Sequence, residues 1–114
     1  MNLKYIFKIV DIDEWKKAKV SGTYSGSLKD TEDGFIHFSS EEQVKGTLKK
    51  YYSNQTDLIL LKVDTLKLDN LIWEQASDGN MFPHLYSSLD LSNVVEELEI
   101  TLDEEGNHNL PDTF

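Results

Sequence analysis

Residues 57–64, DLILLKVD, contain the longest uninterrupted apolar stretch of the chain, LILL, and hold five branched apolar residues between two aspartates. A bounded run of this length is typical of a strand that is buried on both faces. We therefore predict a central strand here, around which the other elements must be arranged. No apolar run approaches the ~20 residues that a membrane-spanning helix needs, so we expect a soluble, cytoplasmic protein.

Strand and helix signals alternate along the first part of the chain. Residues 4–10 are β-branched and aromatic, which predicts a first strand rather than a signal peptide. Asp11 with Glu14 three residues later resembles a capping box, and Gly22 supplies a stop, so a first helix should follow. Residues 23–34 are rich in Gly, Ser and Asp and are expected to form a loop.

A second helix should begin at the serine pair that follows the short strand FIHFS. Two capping boxes compete for its start, Ser39 with Glu42 and Ser40 with Gln43. The sequence leaves this choice open.

Strands dominate the second half of the chain. LIWEQ (residues 71–75) and residues 94–102 predict two of them, and an Asp-Gly turn follows the first. Pro83 should restrict its own segment to a sheet edge or to a connection outside the sheet. The order strand, helix, strand, helix and then strands predicts an α+β fold, with two helices packed on a mostly antiparallel sheet.

The length of 114 residues predicts one domain, which we assign to residues 1–102. Residues 103–114 are expected to form an acidic, mobile C-terminal tail. The sequence contains no cysteine, which excludes disulfides and thiolate metal sites and is compatible with a reducing compartment.

Lysines and acidic residues are unevenly distributed. Residues 1–67 hold all 11 lysines and 10 acidic residues, whereas residues 68–114 hold 11 acidic residues and no lysine. The net charge of −10 and the absence of arginine argue against general nucleic-acid binding, which depends on neutralising phosphates. The acidic half is most simply a solvated surface that favours solubility.

His37 stands between two phenylalanines, directly ahead of the predicted second helix. Because side chains alternate along a strand, His37 should share a face with Ser39. Ser39 and Ser40 then open a helix whose free N–H groups attract anions. The segment therefore predicts a site for an anionic or polar ligand. The alternative is a half-buried histidine, bonded to a backbone carbonyl, beside an ordinary helix cap.

The string WEQASDGNMFPHLY holds the second candidate group. Partial burial would raise the pKa of Glu74, so that it could act as a general acid or base near neutral pH. The rings of Trp73 and Tyr86 could stack a planar ligand. The alternative is an aromatic core cluster with a carboxylate at its edge. The spacing of His37, Glu74 and His84 matches no metal motif, so we expect no metal site.

These strings together resemble a known family. YIFKIV, Trp15, Gly22, DGFIHFS, Gln43, LLKVD, WE and FPHLY resemble the domain of unknown function family 952 (DUF952), from about residue 5 to residue 98. The family's fold is similar to that of ADP-ribosyltransferases, and the layout resembles the RNA 2′-phosphotransferases of that superfamily. The resemblance implies a split sheet, with NAD or a related nucleotide bound between two small sheets, and assigns His37 to the histidine-bearing strand.

The sequence departs from those phosphotransferases in two ways. Val10 and Asp11 stand where they have a histidine at the end of the first strand, and no arginine is present to bind phosphate. The resemblance implies Glu74 as the counterpart of the glutamate that the toxin-like relatives carry near their last strands.

Three functions remain open. The first is a small enzyme with glycosyl- or phosphotransferase-like activity on NAD or a related nucleotide. Its catalytic residues would be His37, Glu74 and His84, and its ligand-binding residues would be Ser39, Ser40, Trp73 and Tyr86. The second is a non-catalytic module that keeps a small-molecule pocket, and the third is an interaction domain that uses its acidic half. The sequence does not define the ligand, the reaction or the oligomeric state.

Overall fold

A computed structural model describes residues 3–111 and residue 114. The elements, in chain order, are β1 (Tyr5–Asp11), α1 (Ile12–Ser21), β2 (Thr23–Tyr24), α2 (Leu28–Asp33), β3 (Ile36–His37), a 3₁₀ turn (Glu41–Gln43), α3 (Val44–Tyr51), β4 (Leu58–Asp64), β5 (Leu71–Gln75), β6 (Met81–Leu85), β7 (Leu89–Asp90), a second 3₁₀ turn (Leu91–Asn93), β8 (Val94–Leu102) and β9 (His108–Asn109). Residues 1, 2, 112 and 113, which belong to the predicted domain and tail, lie outside the described residues. None of the helices in the described part is long and apolar enough to cross a membrane.

The strands of the described residues form antiparallel sheets, as predicted. One sheet has the order β1-β4-β8-β9, a second has the order β3-β6-β5, and β2 pairs with β7. β4 lies between β1 and β8, so the predicted central strand is confirmed. The mixed helix-and-sheet composition is confirmed as well.

β4 is buried on both faces, which explains its dense apolar sequence. Leu61 and Val63 pack with residues of α1, β3 and β6 in one core cluster. Leu58 and Leu60 pack with residues of β1 and α3 in a second cluster on the opposite face. The sheet is therefore the middle layer of the molecule, and β4 requires apolar residues at consecutive positions.

The first helix begins and ends where the sequence predicts. Asp11 caps α1 and accepts hydrogen bonds from the backbone N–H groups of Asp13 and Glu14. Gly22 ends the helix with a left-handed backbone (φ 86°) and donates its N–H to Ala18. Of the two alternatives for the later helix, the structure uses Ser40 with Gln43, because Gln43 Oε1 accepts the N–H of Ser40 at 2.9 Å.

The prediction of two helices is wrong, because the described residues contain three. The segment predicted as a loop holds α2, which Ser27 and Asp30 start through a reciprocal capping box. Gly34 ends α2 in a left-handed conformation. A helix of six residues is too short to show an apolar periodicity, and only its capping pair could have revealed it.

The placement of Pro83 at an edge or outside the sheet is also wrong. Pro83 lies in β6, the middle strand of the second sheet. Its carbonyl accepts the N–H of Phe38 at 3.0 Å. Since the N–H and C=O groups of a strand residue point to the same side, the N–H that proline lacks would also have faced the segment of Phe38. Pairing with β3 ends at His37, so the proline removes a hydrogen bond only where the ladder stops.

A short bridge connects the two larger sheets. Phe7 and Ser39 exchange both of their backbone hydrogen bonds, each 2.8 Å long. This pairing fixes the segment after β3 against the edge of β1. It therefore holds His37 close to the side chains of β1.

The described part of the predicted tail packs on the folded body. His108–Asn109 pair with Thr101 and Leu102 at the end of β8. Leu110 and Phe114 pack against the core cluster that includes α3, and the rings of Phe114 and Phe7 lie 5.2 Å apart. The apolar residues of this segment thus bury surface that its acidic composition did not suggest.

Gly26 is required for the placement of α2. Its φ is +106°, and a Cβ there would lie 2.7 Å from the Cβ of Asp30. We expect Gly26→Ala to lower the free energy of unfolding by about 1–3 kcal/mol, because it combines backbone strain with a clash. Gly46→Ala in α3, where a Cβ would meet no atom within 4 Å, should instead stabilise by about 0.5–1 kcal/mol. Urea denaturation measures the free energy of unfolding of both variants. Equal effects of the two substitutions would contradict the role assigned to Gly26.

Candidate functional site

A cleft of about 610 Å³ lies where β1, α2, α3 and the β3–β6 pair meet. We call it the histidine cleft, because His37 and His84 both line it. The two residues are direct partners in the β3–β6 ladder, and their ring centroids lie 5.5 Å apart. A concave site with several titratable side chains is the preferred location for ligand chemistry.

A buried ion pair forms one wall of the histidine cleft. Lys8 Nζ lies 2.9 Å from one carboxylate oxygen of Asp30 and 3.2 Å from the other. Lys8 is 4% exposed and Asp30 is 3% exposed. The carboxylate also accepts the backbone N–H groups of Ser27 and His37, at 2.9 and 3.1 Å. Asp30 therefore connects β1, α2 and β3 through one side chain.

These contacts fix the charge state of Asp30. Burial alone would raise the pKa of the carboxyl, but the hydrogen bond from His37 and the charge of Lys8 outweigh it and hold the pKa well below its ordinary value. Burial lowers the pKa of the Lys8 amine, and the nearby Asp30 opposes that shift. Asp30 is thus an ionised carboxylate inside the protein.

His37 is held between two carboxylates of α2. Its Nδ1 lies 2.5 Å from Asp30 Oδ1, and its Nε2 lies 2.9 Å from Asp33 Oδ2. Asp30 and Asp33 are three residues apart, so one helix turn brings both to the same ring. Both carboxylates lie in the segment that the sequence had assigned to a loop, and the capping pair of α2 was the only signal for them.

His84 is oriented by a different carboxylate, that of Glu74. Its Nδ1 lies 2.8 Å from Glu74 Oε1, the same oxygen that accepts the hydroxyl of Tyr86 at 2.5 Å. The hydrogen bonds from Tyr86 and then from His84 lower the pKa of Glu74. The expected raised pKa is therefore wrong, because two donors outweigh the partial burial of this carboxylate.

The charge of Glu74 defines the tautomer of His84. An ionised carboxylate only accepts hydrogen bonds, so Nδ1 of His84 must carry the proton. In the neutral ring, Nε2 then has a free lone pair, and it has no hydrogen-bond partner within residues 3–111 and 114. Glu74 is not among the residues that line the histidine cleft, whereas His84 is. A carboxylate that orients a histidine in this way leaves the other nitrogen available as a base.

Phe35 supports the geometry of both histidines. Its ring is stacked on His84, with centroids 4.0 Å apart and planes 20° apart. The same ring lies 4.6 Å from His37 and 5.2 Å from Tyr86. This packing restricts the rotation of each side chain that it touches.

The structure brings some of the predicted site residues together and separates others. His37, Ser39 and His84 line the histidine cleft, whereas Ser40 and Trp73 line an adjoining cleft of about 730 Å³. The two clefts share the following wall residues: Thr47, Tyr51, Ala76 and Phe82. The larger cleft contains neither histidine, so the smaller one is the better candidate for chemistry.

The serine pair, which was expected to bind an anion, is divided between the two clefts. Ser39 is buried, and its hydroxyl is hydrogen-bonded to that of Thr47 at 3.0 Å. The helical segment after Ser40 begins with Glu41 and Glu42, whose charges already complement its N-terminal end. In the described residues, no group of three or more His, Cys, Asp or Glu side chains is arranged to hold a metal ion.

Acid should weaken the fold through Asp30. Its pKa is lowered in the folded state, and in the unfolded chain it returns to about 3.9. The unfolded state therefore binds the proton first, so this stabilisation is present above about pH 4 and is lost as the pH falls through the folded pKa. Melting temperatures between pH 5 and pH 2.5 should fall more steeply for the wild type than for Lys8→Met/Asp30→Asn. Equal slopes would contradict the lowered pKa.

The fold consists of small antiparallel sheets, two of which meet beside the histidine cleft. The chain belongs to the family of proteins of unknown function DUF952, whose family model matches residues 9–97. Its structure is similar to that of CC0527 from Caulobacter crescentus, a structural-genomics target, with 40% sequence identity over 92% of this chain. The TM-score is 0.87 for the crystal structure, which is covered to 93%, and 0.82 for the solution NMR structure, which is covered to 91%. No curated protein matches the chain.

Proposed function

We propose that this chain is a small enzyme whose histidine cleft binds an organic ligand, with His84 as its general base. One observation carries the proposal: the 2.8 Å hydrogen bond from His84 Nδ1 to Glu74, which leaves Nε2 of a cleft-lining histidine unpaired within the described residues. General acid–base catalysis requires a group that is positioned by a partner and can reach the ligand.

The other two predicted catalytic residues support His84 in this proposal. Glu74 orients the ring and stabilises the imidazolium that forms when Nε2 accepts a proton. Both nitrogens of His37 face carboxylates, so His37 acts as a positioning residue for the cleft wall. The proton that His84 removes would come from an O–H or N–H group of the ligand.

The ligand class follows from the resemblance to the ADP-ribosyltransferase-like superfamily. We propose a nucleotide-like ligand, with NAD or a related nucleotide as the first candidate, and a split-sheet fold of that type. The size of the cleft supports this assignment, because ligand pockets commonly measure about 300–1,000 Å³. The junction of two antiparallel sheets at the cleft supports the fold. We also propose a cytoplasmic location, with which the cysteine-free sequence is compatible.

A non-catalytic binding module is the second candidate. The contacts among the other charged groups of the cleft favour it, because groups that are paired with one another are not free to transfer protons. Lys8 is paired with Asp30, and both nitrogens of His37 face carboxylates. In this function the cleft holds a ligand and His84 accepts a hydrogen bond from it without any turnover.

A ligand screen followed by product analysis tests both candidates. NAD, ADP-ribose and 2′-phosphorylated oligonucleotides are first tested for a shift of the melting transition, and every compound that binds is then incubated and analysed for products. Binding with turnover that His84→Gln abolishes supports the enzyme. Binding without turnover supports the module. If no compound binds, the nucleotide class is wrong.

A further inference from the structure

Each lysine that lines the histidine cleft within the described residues is paired with a carboxylate of the same cleft. Lys8 pairs with Asp30 at 2.9 Å, and Lys29 pairs with Asp33 at 3.5 Å. All four residues line the cleft, and Glu14 of α1 lines it as a further carboxylate. The sequence has no arginine that could reach a phosphate from elsewhere. The buried Lys8 is thus neutralised by Asp30, the pair of Lys29 with Asp33 is largely exposed to solvent, and the formal charge of these five residues is negative.

The rest of the wall is rich in aromatic side chains. The aromatic lining residues are Phe7, Phe38, Tyr51, Tyr52 and Phe82. Phe7 and Phe38 are each 2% exposed, so the rings that a ligand can reach are those of Tyr51, Tyr52 and Phe82. Tyr51 is 65% exposed, although large aromatic rings are usually buried. Aromatic faces attract organic cations, and they also bury planar apolar groups. Such a wall suits a ligand in which a positive charge adjoins an apolar body.

The pKa of the Tyr52 hydroxyl is raised by its surroundings in the cleft. Burial, followed by the charges of Asp30 and Glu14, raises the pKa of Tyr52 to about 12. The same causes raise the pKa of Tyr24, whose buried hydroxyl has no hydrogen-bond partner within the described residues. Both phenols therefore stay neutral.

We infer that the histidine cleft selects an organic cation, such as an arylalkyl ammonium or a positively charged heteroaromatic ring, and rejects a phosphate. The inference rests on the proposed function, because it names the part of the ligand that enters the cleft next to His84. The positive group lies against Glu14, and the planar body lies against the aromatic wall. Any phosphate of the same ligand stays outside the cleft.

Three probes of one shape and different charge test this selectivity. Tryptamine is the cation, indole-3-acetate is the anion and indole-3-acetamide is the neutral reference. Each is titrated into the ¹⁵N- and ¹³C-labelled protein, with the amides and ring protons of residues that line the cleft as the readout. We expect tryptamine to bind at least about tenfold more tightly than indole-3-acetate, a difference of about 1.4 kcal/mol. We also expect added salt to weaken its binding.

Two variants of α1 locate the charge that is responsible. Glu14→Gln should weaken tryptamine binding about three- to tenfold and leave indole-3-acetamide unchanged, because a partly exposed charge contributes of order 1 kcal/mol. Asp13→Asn is the matched control, because Asp13 is exposed in the same helix turn and does not line the cleft. It should leave both affinities unchanged.

The outcomes separate this inference from the proposed function. If indole-3-acetate binds in the cleft as tightly as tryptamine, the inferred selectivity for an organic cation is wrong, while the cleft remains a ligand site. The same conclusion follows if Glu14→Gln and Asp13→Asn have equal effects. If none of the probes shifts a cleft resonance, the inference fails, and the nucleotide screen with His84→Gln then decides separately whether the cleft has any ligand.

Discussion

Replacing Asp30 with asparagine should lower the free energy of unfolding by about 3–5 kcal/mol, the usual loss when one partner of a buried ion pair is removed. The variant leaves the Lys8 amine without its counter-charge in a site that is 4% exposed. Asparagine can still accept one of the backbone N–H groups that Asp30 holds, so the loss reports mainly on charge. Urea denaturation, followed by tryptophan fluorescence, provides the measurement.

The double variant Lys8→Met/Asp30→Asn distinguishes charge from packing. It removes both charges, so it should recover a large part of the stability that Asp30→Asn loses. Asp33→Asn is the control, because the contacts of Asp33 with Lys29 and with His37 Nε2 are partly exposed and should contribute only about 0–1 kcal/mol. A double variant as unstable as the single one would show that Asp30 acts through its backbone hydrogen bonds instead.

The elements that the sequence predicts are those with a local signal. Asp11 and Gly22 mark the two ends of α1, and the dense apolar run of β4 needs no partner to be recognised. The helix α2 was missed because its stabilisation comes from one capping pair and from contacts made by Asp30 across the fold. Pro83 was misplaced because the end of the β3 ladder depends on the pairing of two distant segments.

The same distinction applies to the candidate site. His37, Glu74 and His84 were predicted from unusual residues in apolar strings, and the structure places all three within one network of contacts. The partners of His37 were not predicted, because Asp30 lies in a polar segment with nothing to distinguish it from a loop. Lys8 gave a weak signal, as a lone lysine in an apolar strand. Its burial depends on a carboxylate 22 residues away.

The lowered pKa of Glu74 shows how a contact reverses an expectation based on burial. A partly buried carboxylate was expected to hold its proton near neutral pH, which would make Glu74 itself the acid or base. The hydroxyl of Tyr86 and the ring of His84 instead stabilise its charge. In the function that we propose, the acid–base role therefore belongs to His84, which Glu74 orients.

Glu74→Gln should lower kcat by about 100-fold or more, on the substrate that the ligand screen identifies, if His84 is the general base. The amide keeps the shape of the side chain but removes the charge that stabilises the imidazolium. KM should change little, because the lost interaction develops only as His84 takes up the proton. Steady-state kinetics on the purified variant measure both constants.

Two further variants serve as controls for the effect of Glu74→Gln. Glu99→Gln removes the same charge from an exposed position of β8 in the other large sheet, and it should leave kcat unchanged. His37→Ala removes a ring that both Asp30 and Asp33 contact, so it should reduce thermal stability together with activity. If Glu74→Gln instead weakens ligand affinity and leaves every rate as in the wild type, then Glu74 and His84 bind the ligand without reacting with it. The general-base role of His84 would then be wrong, because a base that is not needed for turnover contributes only a hydrogen bond to the ligand.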